Sequence, residues 1–252
     1  MRFRPVQWFE SLPSTNAYLR SAVERGVRAE QSGVVIAART QTQGQGRGLR
    51  AWRMTPWKDL AFSFLIVARI RPESAPSVAM ASALAVSDAL RSYGITTQVK
   101  WPNDVRTQDG RKICGVLAQA LPWENAGRMC IITGLGINVN SSAGELANVG
   151  QPAASIRTET GTTHPPCDVL DTMLINLASR LTVWESGGFA ALRNDWLKRS
   201  GDIGRKHPLL LHGQPVTGWI EDFGPHGEAL LRAPDGALHP SYLPEMFPAF
   251  PS

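Results

Sequence analysis

The sequence predicts an α+β fold over residues 1–203, followed by a small β-barrel over residues 204–252. In the first part, apolar runs with strand character are interspersed with longer amphipathic segments that have helical character. After residue 204, the chain changes to short strand-like runs separated by Gly, Pro and Asp-Gly turns. A chain of 252 residues can bury a hydrophobic core, and its length suits one large domain with one small domain.

The first part opens with a short apolar strand from Val6 to Phe9 and a helix within residues 12–26. Ser14 or Thr15 can cap the start of this helix, and Gly26 follows its end. These signals fix the boundaries of the first helix.

The remaining elements follow from apolar periodicity and from the residues that bound each run. Residues 97–105 are expected to form a strand and then a turn, because Pro102-Asn103-Asp104 breaks regular structure. The other strands are predicted at 32–40, 59–70, 112–121 and 128–140, the last two as a pair. Helices are predicted at 74–94, 167–188 and 188–200, and a Gly/Pro/Ser/Thr-rich loop at 141–167.

Composition excludes several classes of protein. The net charge is +5 and the isoelectric point about 9.4, but the basic residues are scattered, which does not favour nucleic-acid binding as the main role. The chain shows no membrane-spanning apolar run and no signal peptide. Cys114, Cys130 and Cys167 lack metal-type spacing. A cytoplasmic protein with reduced thiols is therefore predicted.

The stretch QTQGQGRGLRAW, residues 41–52, has the composition of a ligand-binding loop. Alternate glycines let the backbone approach a ligand closely, and successive amides can form an anion-binding concavity. Arg47 and Arg50 add cations for a phosphate, and Trp52 offers a flat apolar face. The run matches neither a Walker loop nor a dinucleotide fingerprint. A surface loop with solubilising arginines is the alternative.

A second group of polar residues lies in KWPNDV, residues 100–105, and RKICGVL, residues 111–117. Lys100, Asn103, Asp104 and Lys112 bring two cations, an amide and a carboxylate together in sequence. A carboxylate beside lysines can hold a metal or orient a lysine. Lys112 begins a predicted strand, so its ammonium would project from a rigid element. The alternative is a tight turn with surface lysines.

Together these segments resemble the biotin–protein ligases, also called biotin–[acetyl-CoA-carboxylase] ligases or holocarboxylase synthetases. The resemblance rests on STN at 14–16, the run at 41–52, KWPNDV with RKICGVL, GLGINVN and AASIRTETG, and it extends over nearly the whole chain. It implies a class II synthetase-like catalytic domain with a central mixed sheet and packed helices, residues 1–203, and a small C-terminal β-barrel, residues 204–252.

The resemblance also implies an activity. Enzymes of this family use ATP, with Mg²⁺, to convert biotin to biotinyl-adenylate, and then transfer biotin to a lysine of a carrier domain. The expected partner is the biotin carboxyl carrier protein domain of acetyl-CoA carboxylase. Two rivals stay open: a lipoate–protein ligase-like transferase, which KWPND disfavours, and a biotin-binding sensor without turnover.

The roles of individual residues are carried over from the same resemblance. Lys112, Arg47 and Asp104 are expected to be catalytic, with Asp104 near Mg²⁺-ATP or the incoming lysine. The implied biotin-binding residues are Ser14, Thr15, Asn16, Gln41, Gly44, Gly46, Arg47, Lys112 and Gly115. The implied nucleotide-binding residues are Arg47, Arg50, Trp52, Lys100, Asn103 and Asn138. No metal site made by the protein alone is expected.

The glycine-rich run departs from the family pattern. Gln45 replaces the first arginine, and Gly48-Leu49 displaces one glycine by a position. Gly110 lengthens the interval between Asp104 and Lys112, which a hairpin turn can absorb.

Further expectations concern partners. Many relatives carry an N-terminal helix-turn-helix domain, whereas this sequence starts at the catalytic strand, so no operator binding is expected. No membrane association is expected either, because the sequence has no long apolar run. A homodimer is left open. The histidines are assigned to surface or turn positions, and Cys114 to the core rather than to nucleophilic catalysis.

Overall fold

The larger part of the fold is organised by a seven-stranded mixed sheet with the order β1-β2-β3-β7-β6-β5-β4. The structure is a computed structural model, and it describes residues 1–26, 31–48, 50–70, 72–121, 128–211 and 214–241. β1 and β2 pair in parallel and the other neighbours are antiparallel. The strands are β1 Val6–Phe9, β2 Val35–Ala38, β3 Leu60–Ala68, β4 Thr97–Lys100, β5 Asp104–Thr107, β6 Lys112–Leu121 and β7 Met129–Ile137.

Helices pack on both faces of this sheet. One face is covered by α1, and the other by α2, which is in turn covered by α5. Nearly every residue of α2 is buried, because the helix lies between the sheet and α5. The helices are α1 Thr15–Glu24, α2 Ser77–Arg91, α3 Ala143–Leu146, α4 Ile156–Thr160, α5 Pro166–Gly187 and α6 Arg193–Arg199.

Most of the predicted elements are confirmed at nearly the expected boundaries. The Ser14 side chain accepts a hydrogen bond from the N–H of Ala17 and caps α1, and Gly26 adopts φ +100° after its end. Left-handed backbone of this kind favours glycine because it carries no Cβ. The local signals of capping and chain reversal are therefore sufficient to define α1.

The prediction of loop throughout 141–167 is wrong. Two short helices, α3 and α4, lie in this segment. Each begins with a capping box, formed by Ser142 with Glu145 and by Ser155 with Thr158. The side chains satisfy the first free amides of each helix, so short segments without strong apolar periodicity become helical. A second difference concerns residues 104–107. They form the strand β5 after the turn at 101–103, whereas no separate strand was predicted there.

The C-terminal part forms a separate four-stranded antiparallel sheet with the order β11-β10-β9-β8. An Asp-Gly turn joins β10 to β11, with Gly236 at φ +82°. The expected change to all-β structure is thus confirmed. The strands are β8 Lys206–Leu211, β9 Gln214–Phe223, β10 Ala229–Arg232 and β11 Leu238–Ser241.

None of the helices in the described ranges is long and apolar enough to cross a membrane.

Asp59, a buried carboxylate at the start of β3, fixes the end of β7. It accepts hydrogen bonds from the N–H of Val139 at 2.9 Å, the N–H of Thr55 at 2.8 Å and the Ser141 hydroxyl at 2.5 Å. We expect Asp59→Ala to lower the free energy of unfolding by about 3 kcal/mol, since buried donors left unpaired cost roughly 1–3 kcal/mol each. Urea denaturation measures the loss. The exposed Asp171→Ala is the control, and equal stability of both variants would contradict this assignment.

Candidate active site

A cavity of about 670 Å³ lies on the α1 face of the large sheet. Its walls come from the start of α1, the glycine-rich run, the turn after β4, the start of β6 and the end of β7. Most of the residues predicted from sequence as site residues face this one space. These are Ser14, Thr15, Asn16, Gln41, Gly46, Arg47, Arg50, Trp52, Lys100, Asn103, Asp104, Lys112 and Gly115.

One end of the cavity is polar and uncharged. Gln41 Oε1 accepts from the N–H of Thr15 at 2.8 Å and from its hydroxyl at 3.1 Å. Asn16 Nδ2 donates to the carbonyl of Leu117 at 3.2 Å, and Asn16 Oδ1 accepts from the Ser63 hydroxyl at 2.6 Å. These partners fix the rotamers of neutral donors and acceptors, which suits a neutral polar ligand.

Glycines of β6 and β7 form the floor of the cavity. A Cβ on Gly134 would lie 2.2 Å from Asn16 Oδ1, and one on Gly136 would lie 2.1 Å from Trp52 Cε2. A Cβ on Gly115 would lie 3.0 Å from Lys112 Nζ. The floor therefore admits the side chains of Asn16 and Trp52 only because Gly134 and Gly136 lack a side chain, whereas a Cβ at Gly115 would require only a small shift of Lys112.

The glycine-rich run folds as a narrow hairpin. The N–H of Gly46 donates to the carbonyl of Arg50 at 2.7 Å, and the N–H of Trp52 donates to the carbonyl of Gly44 at 2.9 Å. A Cβ on Gly44 would lie 2.5 Å from the Trp52 carbonyl oxygen. Gly48 has φ +61°, which explains a glycine at this displaced position. Leu49, the other half of that departure, lies outside the described residues.

The opposite end of the cavity is rich in charge. Lys112 Nζ lies 2.7 Å from Asp104 Oδ1 and 5.7 Å from the centre of the Trp52 ring. Asp104 Oδ2 lies 3.5 Å from Arg106 Nη2. Arg47 Nη1 donates to Asn103 Oδ1 at 3.3 Å, which joins the glycine-rich hairpin to the turn after β4. Arg47 and Lys112 thus converge on one region through Asn103 and Asp104, which are adjacent in the chain.

Lys100, at the end of β4, adds another cation. Partial desolvation of its ammonium lowers the pKa of Lys100, and the neighbouring Arg106 lowers it further. Asp104 and Asp202 act in the opposite direction. Lys100, Lys112, Arg47, Arg50 and Arg106 all line the cavity, and this group of cations favours an anionic ligand.

Two predicted site residues do not line the cavity. Asn138 is buried, and its amide donates to the carbonyl of Ala154 at 2.9 Å and to that of Lys112 at 3.4 Å. Asn138 therefore ties the backbone behind Lys112 and does not face the cavity, and its place beside the nucleotide stays a prediction. Gly44 also lies behind the cavity wall, where it permits the hairpin to close.

The structure adds residues that sequence reasoning missed. Gly134 and Gly136 form the floor of the cavity, and the Ser63 hydroxyl binds Asn16 Oδ1 beside it. Residues 148–151 form part of the rim. Alternate glycines in GLGIN are a local signal for close approach of a ligand or side chain, so the floor was detectable. His207 also lines the cavity although it comes from the C-terminal sheet. Its assignment to a surface or turn position is wrong, because no local pattern reports this distant contact.

The cysteines have unequal surroundings. Cys114 and Cys130 are buried, whereas Cys167 is exposed. Burial raises the pKa of the Cys114 thiol and raises that of Cys130 to about 12, so neither forms thiolate near pH 7. We expect iodoacetamide at pH 8 to modify Cys167 alone in the native protein and all three cysteines in urea. Mass spectrometry of peptides measures this, and rapid native labelling of Cys114 would contradict its place in the core.

Comparison with known proteins agrees with the fold. The structure matches that of the biotin protein ligase from Aquifex aeolicus in complex with biotin and ATP, with a TM-score of 0.75 and 26% sequence identity. The match covers 96% of this chain and 97% of that one. The fold is therefore that of the biotin protein ligases.

Sequence similarity to known proteins also indicates the biotin protein ligases. The chain is 30% identical over 226 residues to the biotin--[acetyl-CoA-carboxylase] ligase of Mycobacterium tuberculosis, covering 86% of this chain and 79% of the relative. It is 29% identical over 210 residues to the ligase of that name from Paracoccus denitrificans, covering 80% and 85%. Residues 8–138 match the sequence model of the Biotin/lipoate A/B protein ligase family. The chain belongs to this family.

Proposed function

We propose that this protein is an ATP-dependent ligase that forms biotinyl-5′-AMP and transfers biotin to a lysine of a biotin carboxyl carrier protein. The observation that carries the proposal is the cavity, in which a fixed, uncharged end adjoins a cation-rich end in a chain of this family. Biotin has a neutral polar ring and a carboxylate, and ATP is a polyanion. The two ends match these two substrates in polarity.

The uncharged end suits the ureido group of biotin. Ser14, Thr15 and Asn16 would hydrogen-bond the ring, and Gln41 would position Thr15. Gly46 and Gly115 would leave space beside the ring and its side chain. The neutral partners bind a neutral group without leaving a buried charge unpaired.

The first chemical step joins the biotin carboxylate to AMP. A carboxylate oxygen attacks the α-phosphorus, a new P–O bond forms, and the bond to pyrophosphate breaks. Two anionic groups must approach each other, so the barrier falls where fixed cations face the developing charge. Lys112 and Arg47 would supply these cations. Asp104 orients Lys112 through the contact of 2.7 Å.

The second step transfers the acyl group. The carrier lysine attacks the carbonyl carbon as a neutral amine, the new C–N bond forms, and AMP leaves as the C–O bond breaks. The nitrogen gives up one proton to solvent, which leaves a neutral amide. Asp104, with Lys112, would orient this amine. The glycine-rich hairpin would close over the mixed anhydride, which water would otherwise hydrolyse.

The nucleotide would lie across the cation-rich end. Arg50, Lys100 and Asn103 would bind its phosphates and ribose, and Trp52 would pack beside the adenine or the closed hairpin. Among the described lining residues, Asp104 is the one carboxylate. Mg²⁺ commonly uses one or two carboxylates together with substrate phosphates, so Asp104 fits a Mg²⁺ that arrives with ATP. The ion would supply further charge at the phosphates.

The proposal is tested with a carrier domain, biotin and Mg²⁺-ATP, followed by mass spectrometry of the carrier. We expect addition of one biotinyl group to a single lysine. Omission of ATP should prevent it, and lipoate should not substitute for biotin. Unmodified carrier, together with absence of biotin-dependent ATP–pyrophosphate exchange, would refute the proposed activity and leave a sensor that binds biotin without turnover.

A further inference from the structure

We propose that His207, contributed by the C-terminal sheet, binds the β- and γ-phosphates of ATP and the pyrophosphate that leaves. This inference rests on the proposed function and extends it to a residue outside the large sheet. It gives the C-terminal sheet a direct part in binding nucleotide.

His207 is placed at the site by the packing of the two sheets. Among the described residues, it is the one member of the C-terminal sheet that lines the cavity. It is half-buried, and it lies on β8 opposite Gly218 of β9. A strand position paired on the ladder is fixed more firmly than a loop position, so the ring is presented from a rigid element.

Trp101 holds the imidazole in place. The two rings meet edge to face, with centroids 5.2 Å apart and planes at 80°. Trp101 is itself fixed, because its ring N–H donates to the carbonyl of Gly227 at 2.9 Å and its backbone N–H donates to the buried carboxylate of Asp202. The orientation of His207 is therefore tied to the turn that carries Asn103 and Asp104.

The surroundings of His207 indicate the charge of its ligand. Burial lowers the pKa of His207, and Lys100 and Arg47 lower it further. A neutral imidazole carries one N–H donor, and within the described part of the chain no hydrogen bond engages either ring nitrogen. A donor among cations suits an anion rich in acceptor oxygens. Of the reactants, the triphosphate has that chemistry.

The positions of Lys112 and Lys100 on the sheet indicate where the α-phosphate and the terminal phosphates would lie. Lys112 begins β6, whereas Lys100 ends β4, two strands away, which is about 10 Å at the usual strand spacing. With the α-phosphate at Lys112, the side of the cavity at Lys100 and His207 is left for the β- and γ-phosphates. AMP ends at the α-phosphate and therefore has no phosphate to place on this side of the cavity.

The test is isothermal titration of the full chain with ATP and, separately, with AMP. We expect His207→Phe, which keeps the ring contact with Trp101 but lacks the N–H, to weaken ATP binding about tenfold and AMP binding less than about twofold, since a hydrogen bond to a charged group is worth roughly that factor. His207→Gln restores a donor and should recover part of the affinity. His226→Ala is the control, because His226 bonds Ser74 Oγ, away from the cavity.

Unchanged ATP affinity in His207→Phe, or equal weakening of ATP and AMP, would overturn the inference. Thermal unfolding identifies a variant that has lost structure, and His207→Leu, which also lacks the N–H, then provides the same comparison. Different measurements test the inference and the proposed function, so the failure of one can be distinguished from the failure of the other. Absence of biotin-dependent exchange in the unmodified protein refutes the activity, whereas the ATP and AMP titrations decide the role of His207 without turnover.

Discussion

Replacing Lys112 by alanine is expected to slow biotinyl-adenylate formation by about 10²–10³-fold, the usual cost of removing one group that stabilises transition-state charge. Biotin binding should weaken far less, because the uncharged end that holds the ring does not include the Lys112 ammonium. Lys112 Nζ is fixed by Asp104 at 2.7 Å and lies over Trp52, so its removal leaves a gap that no neighbouring cation fills without rearrangement. Biotin-dependent ATP–pyrophosphate exchange measures the rate, and titration measures biotin affinity.

The control for this experiment is Lys58→Ala. Lys58 forms a comparable ion pair, with Glu145 at 2.7 Å, but it is exposed and does not line the cavity. Its removal should leave both the rate and the affinity unchanged. If Lys112→Ala reduced biotin affinity as strongly as it reduced the exchange rate, the assigned role at the reacting carboxyl group would be incorrect.

Substitution of Gly134 by alanine is expected to weaken biotin binding roughly 5- to 150-fold, which corresponds to the 1–3 kcal/mol that extra atoms cost in a packed site. The new Cβ would lie 2.2 Å from Asn16 Oδ1, so the Asn16 amide must leave its position. Asn16 would then lose its bond to the Leu117 carbonyl and its place at the uncharged end. Titration with biotin measures the change.

Gly144→Ala is the matched control, because a Cβ there meets no atom within 4 Å. It should leave biotin affinity unchanged and should not lower the unfolding temperature, because alanine is favoured over glycine inside a helix. Normal biotin binding by Gly134→Ala would mean that Asn16 is not needed where the structure holds it, and the assignment of the uncharged end to biotin would fail.

The features predicted correctly from sequence are those that local chemistry determines. The cap at Ser14 and the Asp-Gly turn at Gly236 depend on a few adjacent residues, and both are found where expected. Asp104, Lys112 and Gly115 are close in sequence and lie on one hairpin, β5 with β6. Their approach in space could therefore be predicted without long-range information.

Features that depend on long-range packing were harder to predict. His207 reaches the cavity because the loop at Gly227 and the carboxylate of Asp202 engage Trp101, and these contacts join residues about a hundred positions apart in the chain. The place of Asn138 beside the nucleotide was implied by the family resemblance and stays a prediction. Its amide ties the residue after β7 to the backbone at Ala154 and Lys112, a pairing that no sequence period reveals.

The short helices α3 and α4 illustrate a third case. Their signals, Ser142 with Glu145 and Ser155 with Thr158, are present in the sequence, but they are embedded in a segment rich in turn-forming residues. Composition outweighed the capping boxes in the prediction. In the structure the side-chain caps prevail, because each satisfies backbone amides that would otherwise be unpaired.

The central claim is that Arg47 and Lys112 act on the same junction between the biotin carboxyl group and the α-phosphate. A crystal structure of the protein with biotinyl-5′-AMP tests it most directly. We predict that Lys112 Nζ and the Arg47 guanidinium both lie within about 3.5 Å of oxygens of the mixed anhydride, the outer limit of a hydrogen bond. A complex in which either cation points away from the anhydride, or in which the ligand binds outside this cavity, would contradict the account.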